Sequence, residues 1–136
     1  MDSRSKPVRG KLNPIFFLFV VVFLLLANLW PMAATSPGAT FMYRIDPGLQ
    51  NFLHLPAYAL FGLIFADFLQ HHAKNAKLRN GLFAGLGAGF CLILEYLQFF
   101  VPGRFVAYTD IIFNLAGLAL GWIVYASFFP SSVACK

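Results

Sequence analysis

Four apolar runs organise this chain. The first, IFFLFVVVFLLLANLW, covers residues 15–30; the others cover about 52–69, 81–101 and 111–129. A helix needs roughly 20 apolar residues to cross a hydrocarbon core about 30 Å thick, and each run approaches that length. The pattern predicts an all-α, integral membrane four-helix bundle, with a basic N-terminal segment (1–14) and a short tail (130–136). Residues 15–129 would form the transmembrane domain. Basic residues before the first run and Ala33 and Ala34 after it give the outline of a signal peptide. Its length, the Trp30–Pro31 pair and Met32 near the cleavage position favour a retained helix instead.

Composition agrees with lipid as the solvent. Of 136 residues, 60% are hydrophobic and 11% charged, against about 45–50% and 25% in soluble domains. The net charge of +5 is unevenly spread. Arg4, Lys6, Arg9 and Lys11 precede the first run, Lys74, Lys77 and Arg79 lie between the second and third, and Lys136 ends the chain. The other two loops hold Arg44 and Arg104. This bias predicts cytoplasmic termini and a cytoplasmic middle loop. The basic residues orient the chain against anionic headgroups, and no nucleic-acid partner is called for.

Glycine spacing bears on packing. Gly81, Gly85 and Gly89 share one face of the third helix, and Gly117 and Gly121 share one face of the fourth. Such repeats let backbones approach closely in lipid. The expectation is a tight hairpin of helices three and four, closed at Pro102–Gly103, with self-association as the competing use. The first loop, 31–51, carries Pro37–Gly38 and Pro47–Gly48 as expected turns, with Phe41, Met42 and Tyr43 resting in the headgroups. Cys91 reads as a packing residue and Cys135 as a tail residue at another depth, so no pairing or metal motif is expected.

The chemistry lies in the polar interruptions. With this topology His54 and Tyr58 share a face near the outer end of helix two. Gln98 and Glu95 lie near the outer end of helix three, Arg104 in the outer loop, and Asp110 and Asn114 one turn apart at the start of helix four. A Glu facing lipid at that depth would be penalised by about 2–3 kcal/mol, so Glu95 should face the bundle interior. Asp110, or Thr109, is also a candidate helix cap. Glu95, Asp110 and His54 are the candidate acid–base groups. Arg104 is the candidate anion clamp, with Gln98, Asn114 and Tyr58 orienting the ligand. The competing reading is a clamp that fixes three helix ends. A metal held by His54, Glu95 and Asp110 is disfavoured because no HxxH or HxxE spacing accompanies them, and no motif calls for a cofactor. His71 and His72 should be solvated beside the basic loop, and Asp67 should pair with Lys74 or Arg79.

The order H-x-x-x-Y (His54, Tyr58), E-x-x-Q (Glu95, Gln98), P-G-R (Pro102, Gly103, Arg104) and D-x-x-x-N-x-x-G (Asp110, Asn114, Gly117) resembles the VanZ-like family of small bacterial membrane proteins, over about residues 50–124. Members often carry Asp-Lys before the histidine motif, where this chain has Gln50 and Asn51. The missing lysine leaves Arg104 as the sole cation of the expected site. The resemblance implies a multi-pass protein of the bacterial inner membrane. It also implies a link to the cell envelope, because the family is named for a protein associated with low-level resistance to teicoplanin. The expected partners are membrane lipids or lipid-linked envelope precursors, gripped in an outer-leaflet pocket. Binding and catalysis both remain open. A non-enzymatic accessory subunit of a larger membrane complex is the alternative. A transporter is disfavoured for lack of paired repeats and a midplane site.

Overall fold

A chain in lipid must satisfy its backbone polar groups internally. The computed structural model, which describes residues 14–30, 44, 46–102 and 107–129, does so with helices. They are α1 (Pro14–Leu29), α2 (Pro47–His72), α3 (Ala76–Gln98) and α4 (Tyr108–Phe128). The last three are each long and apolar enough to span a membrane, whereas α1 is apolar but shorter over the described residues. The result is an integral membrane four-helix bundle. The first loop's expected aromatic segment, the Pro37–Gly38 turn, Arg104 and Cys135 lie outside the described residues.

The helices outrun the apolar stretches because local capping, not hydropathy, sets their ends. Asp46 Oδ1 accepts from Gly48 N at 2.8 Å and Leu49 N at 3.2 Å, so Pro47–Gly48 opens α2 instead of forming the expected turn. Proline suits a first helical position, where its missing N–H is not needed. Asn75 Oδ1 caps α3 in the same way, accepting from Lys77 N and Leu78 N. At its far end α3 stops at Gln98 instead of continuing to Val101. There, three successive N–H groups, from Phe99 to Val101, donate to carbonyls three residues back.

The expected pairing of the third and fourth helices is corrected by the structure. The intimate pair is α2 with α4, and the two run parallel: Asn51 meets Thr109, His54 meets Asn114, and Asp67 meets Tyr125. Their backbones touch. A Cβ at Gly117 would stand 2.5 Å from the Leu55 carbonyl oxygen, and one at Gly62 would stand 2.6 Å from that of Leu118. A Cβ at Gly121 would collide with the Ala59 carbonyl oxygen. The glycines of α3 behave differently, since a Cβ at Gly81, Gly85 or Gly89 meets no heavy atom within 4 Å. It is Gly87, outside that repeat, that faces the Leu118 side chain. Spacing identified a face of small residues on each helix but could not say which neighbour occupied it.

Around this pair, α1 and α3 pack through aromatic side chains. Phe17 of α1 stacks on Phe68 of α2 with centroids 4.4 Å apart, and Phe83 of α3 sits 5.5 Å from Phe65 and 4.6 Å from Trp122 of α4. Phe61 meets Phe90 at 5.0 Å. Offset ring contacts of this kind add about 0.5–1.5 kcal/mol each beyond area burial. Cys91 is a fully buried free thiol among these side chains.

Alanine at Gly117 or Gly121 should therefore destabilise the bundle by about 1–3 kcal/mol, the usual range for forced overpacking. Alanine at Gly81 or Gly85 should be neutral or stabilising by up to about 1 kcal/mol, because it improves helix propensity without a clash. Thermal unfolding in detergent measures both. Equal losses at the two sets of positions would refute the α2–α4 assignment.

Candidate functional site

The parallel register of α2 and α4, with α1 and α3 running the other way, brings four helix ends to one end of the bundle. Polar side chains gather there from every helix. The His54 Nδ1 lies 2.9 Å from Asn114 Oδ1. Glu95 Oε1 accepts from the backbone N–H of Ala107 at 3.3 Å. Gln98 Nε2 donates to Asn28 Oδ1 at 2.9 Å, and Asn28 Nδ2 donates back to the Leu24 carbonyl at 2.8 Å. Asn51 Nδ2 donates to Thr109 Oγ1 at 3.2 Å near the rim. Glu95, Gln98, Asp110, Asn114 and Asn28 are all buried, as is Tyr58.

Each position has a local cause. Glu95 lies one turn below the end of α3 and turns inward. Ala107 is the N-cap of α4 and offers no side-chain cap, so a carboxylate from the neighbouring helix takes that role. Anionic groups at a helix N-terminus contribute about 0.3–1 kcal/mol, and more when partly buried. Asp110 lies in the first turn of α4 but does not cap it, which corrects the expected cap; neither does Thr109. Thr109 Oγ1 instead makes a long 3.5 Å contact to Asp110 Oδ1. His54 lies about two turns into α2 instead of in its first turn, because the helix begins at Pro47. That places it level with Asn114. Tyr58 stacks one turn below His54 with ring centroids 6.1 Å apart, and Glu95 and Asp110 lie within electrostatic range of it.

Two buried donors in this cluster have no hydrogen-bond partner, the Tyr58 hydroxyl and Asn114 Nδ2. The Asn28 side chain lies close to that hydroxyl without meeting hydrogen-bond geometry. Large exposed side chains ring the same end, among them Trp30, Tyr96, Phe99, Phe100 and Tyr108. Aromatic residues with a polar edge, here Trp30, Tyr96 and Tyr108, favour the membrane–water interface.

Among the sequence-nominated residues, the structure brings together His54, Tyr58, Glu95, Gln98, Asp110 and Asn114; Arg104 is outside the described residues. Asn28 was missed, although an asparagine inside an apolar run is the same signal that singled out Asn114. Thr109 entered only as a candidate cap and Asn51 only as a departure from the family's Asp-Lys pair, so neither was nominated for the cluster. At the opposite end Asp67 pairs with neither Lys74 nor Arg79. Its Oδ1 accepts from Tyr125 Oη at 3.3 Å, and its Oδ2 lies 3.5 Å from His71 Nδ1. His71 is accordingly half-buried rather than solvated, and its Nδ1 also approaches the Asp67 carbonyl at 2.8 Å. Among the described residues no three His, Cys, Asp or Glu side chains are grouped to hold a metal ion.

Fold and site together define a membrane-embedded helical bundle that concentrates buried polar groups at one end. The chain belongs to the VanZ/LLP1 family, whose model matches residues 3–129. No curated protein and no solved structure matches it.

The Asn28–Gln98 bridge should follow the asymmetry of buried hydrogen bonds. Leucine at either position alone leaves a buried amide without its partner and should lose about 1–3 kcal/mol. Leucine at both should lose less than the sum of the two. A double-mutant cycle in detergent measures the difference, expected near 0.6 kcal/mol or above for membrane side-chain pairs. Strict additivity would mean that the two amides do not interact.

Proposed function

We propose that this protein is a multi-pass protein of the bacterial inner membrane whose polar cluster faces the outer leaflet and engages the headgroup of an envelope lipid or lipid-linked glycan. The observation that carries this reading is the pair of buried donors without partners, Tyr58 Oη and Asn114 Nδ2, within a cluster assembled from all four helices. A polar cluster built solely to fasten helices would satisfy its donors internally, because each orphaned donor costs about 1–3 kcal/mol. The basic segments before α1 and between α2 and α3 support cytoplasmic termini, which puts the cluster on the opposite side. In this reading Glu95, Asp110 and His54 are the acid–base or hydrogen-bonding groups, Arg104 is the anion clamp, and Gln98, Asn114 and Tyr58 orient the ligand. Family membership supports an envelope role and brings reduced teicoplanin susceptibility within the phenotypes worth measuring.

One observation favours the accessory-subunit alternative, in which a helix of a larger complex docks on this protein. On the α3 face carrying Gly81, Gly85 and Gly89, no heavy atom among the described residues lies within 4 Å of where a Cβ would stand, and exposed small-residue faces suit helix association in lipid.

Arg104→Ala and Glu95→Gln separate the two. In the headgroup reading both variants insert and keep a thermal midpoint within a few degrees of the parent. Both lose at least about tenfold in affinity for co-purified envelope lipid, equivalent to about 1.4 kcal/mol. Lipid mass spectrometry on the purified protein and teicoplanin susceptibility of expressing cells are the measurements. Unchanged lipid occupancy in both variants, or collapse of stability together with occupancy, would favour a structural role.

A further inference from the structure

The hydrogen-bonding capacities within the cluster narrow the group it can hold, given the reading above that it is a ligand site. An amide oxygen only accepts, so the 2.9 Å contact between Asn114 Oδ1 and His54 Nδ1 requires the proton to sit on Nδ1. A neutral imidazole protonated there presents a lone pair at Nε2. The same asparagine holds a donor, Nδ2, without a partner, and the Tyr58 hydroxyl is a second such atom. Asn114 and Tyr58 are 0% and 1% exposed, so bulk water does not satisfy them. The three side chains are neighbours: His54 touches Asn114, and Tyr58 stacks below His54.

A phosphate diester or a carboxylate brings only lone pairs. It would satisfy Asn114 and Tyr58 but set an acceptor against the His54 lone pair. It would also place negative charge beside Glu95 and Asp110, both within electrostatic range of Tyr58. An alcohol matches both halves of the set. We propose that the group bound among His54, Asn114 and Tyr58 is a hydroxyl, whose O–H donates to His54 Nε2 while its oxygen accepts from Asn114 Nδ2 or Tyr58 Oη. Sugar rings of a lipid-linked glycan and the glycerol headgroup of a phospholipid share this chemistry.

The test uses the full chain in phosphatidylcholine nanodiscs, whose lipid carries no hydroxyl. Three short-chain probes are titrated by calorimetry: hexyl glucoside, dihexanoyl phosphatidylglycerol and dihexanoyl phosphatidylmethanol, an anionic diester with no hydroxyl. The expected result is binding of one or both hydroxylated probes at least about tenfold tighter than the phosphatidylmethanol. Glucoside alone assigns a sugar, and phosphatidylglycerol alone assigns glycerol. Tyr58→Phe should weaken that binding by up to about tenfold. It should leave the thermal midpoint unchanged or raised, since it removes a buried donor that has no protein partner. Phosphatidylmethanol binding as tightly as either hydroxylated probe overturns the hydroxyl assignment while leaving the ligand-site reading intact. Binding of none of the three overturns the ligand-site reading itself. Unaltered hydroxyl-probe affinity in Tyr58→Phe and Asn114→Leu together also overturns the assignment, because the hydroxyl would then sit elsewhere.

Discussion

Direct backbone contact between α2 and α4 is the constraint from which the rest follows. Lipid supplies no hydrophobic drive to bring two apolar helices together, so close approach has to come from shape. Gly62, Gly117 and Gly121 supply that shape by removing side chains where the two backbones meet. Because the helices are parallel and in contact over much of their length, one register sets every polar pair along them. Asn51–Thr109, His54–Asn114 and Asp67–Tyr125 all belong to it. A slip of one residue would turn these side chains away from one another and into hydrocarbon.

The two ends of the bundle then differ in character. At the end where α2 and α4 begin, polar groups from four helices converge, and two of their donors are left over. At the other end Asp67 is held by Tyr125 and His71, and the surrounding interior is aromatic, with Phe17, Phe65 and Phe83 among its rings. The second arrangement joins α2 to α4. The first also joins helices, through Asn28–Gln98 and Glu95–Ala107 N, but contains capacity that these joints do not use. Among the described residues, the buried side-chain donors left without a partner all lie at the first end, whereas the second leaves only a carboxylate oxygen, Asp67 Oδ2, without a hydrogen bond.

Much of this was legible from residue order. Hydropathy alone gives the helices, since their apolar lengths match a bilayer, and the polar interruptions at His54, Glu95, Gln98, Asp110 and Asn114 point to one shared depth. What sequence could not supply was neighbour identity. The spacing of Gly81, Gly85 and Gly89 looks the same as that of Gly117 and Gly121, yet only the latter pair meets another backbone among the described residues. Helix ends were misplaced for a related reason: Asp46 and Asn75 extend α2 and α3 beyond their apolar runs by capping chemistry that hydropathy does not see. Asn28 was overlooked because its run is the most apolar of the four, so a single amide did not stand out.

The bond from Ala107 N–H to Glu95 carries a consequence for biogenesis. α4 has no side-chain cap within its own segment, and the carboxylate that receives its leading amide belongs to the helix synthesised just before it. When the ribosome delivers residues 107–128 to the insertion machinery, the acceptor that defines their starting point has already been translated. The order of synthesis and the order of stabilisation therefore coincide. Loss of a side-chain acceptor at position 95 would register first as misplacement of a later segment, not as a fault in its own.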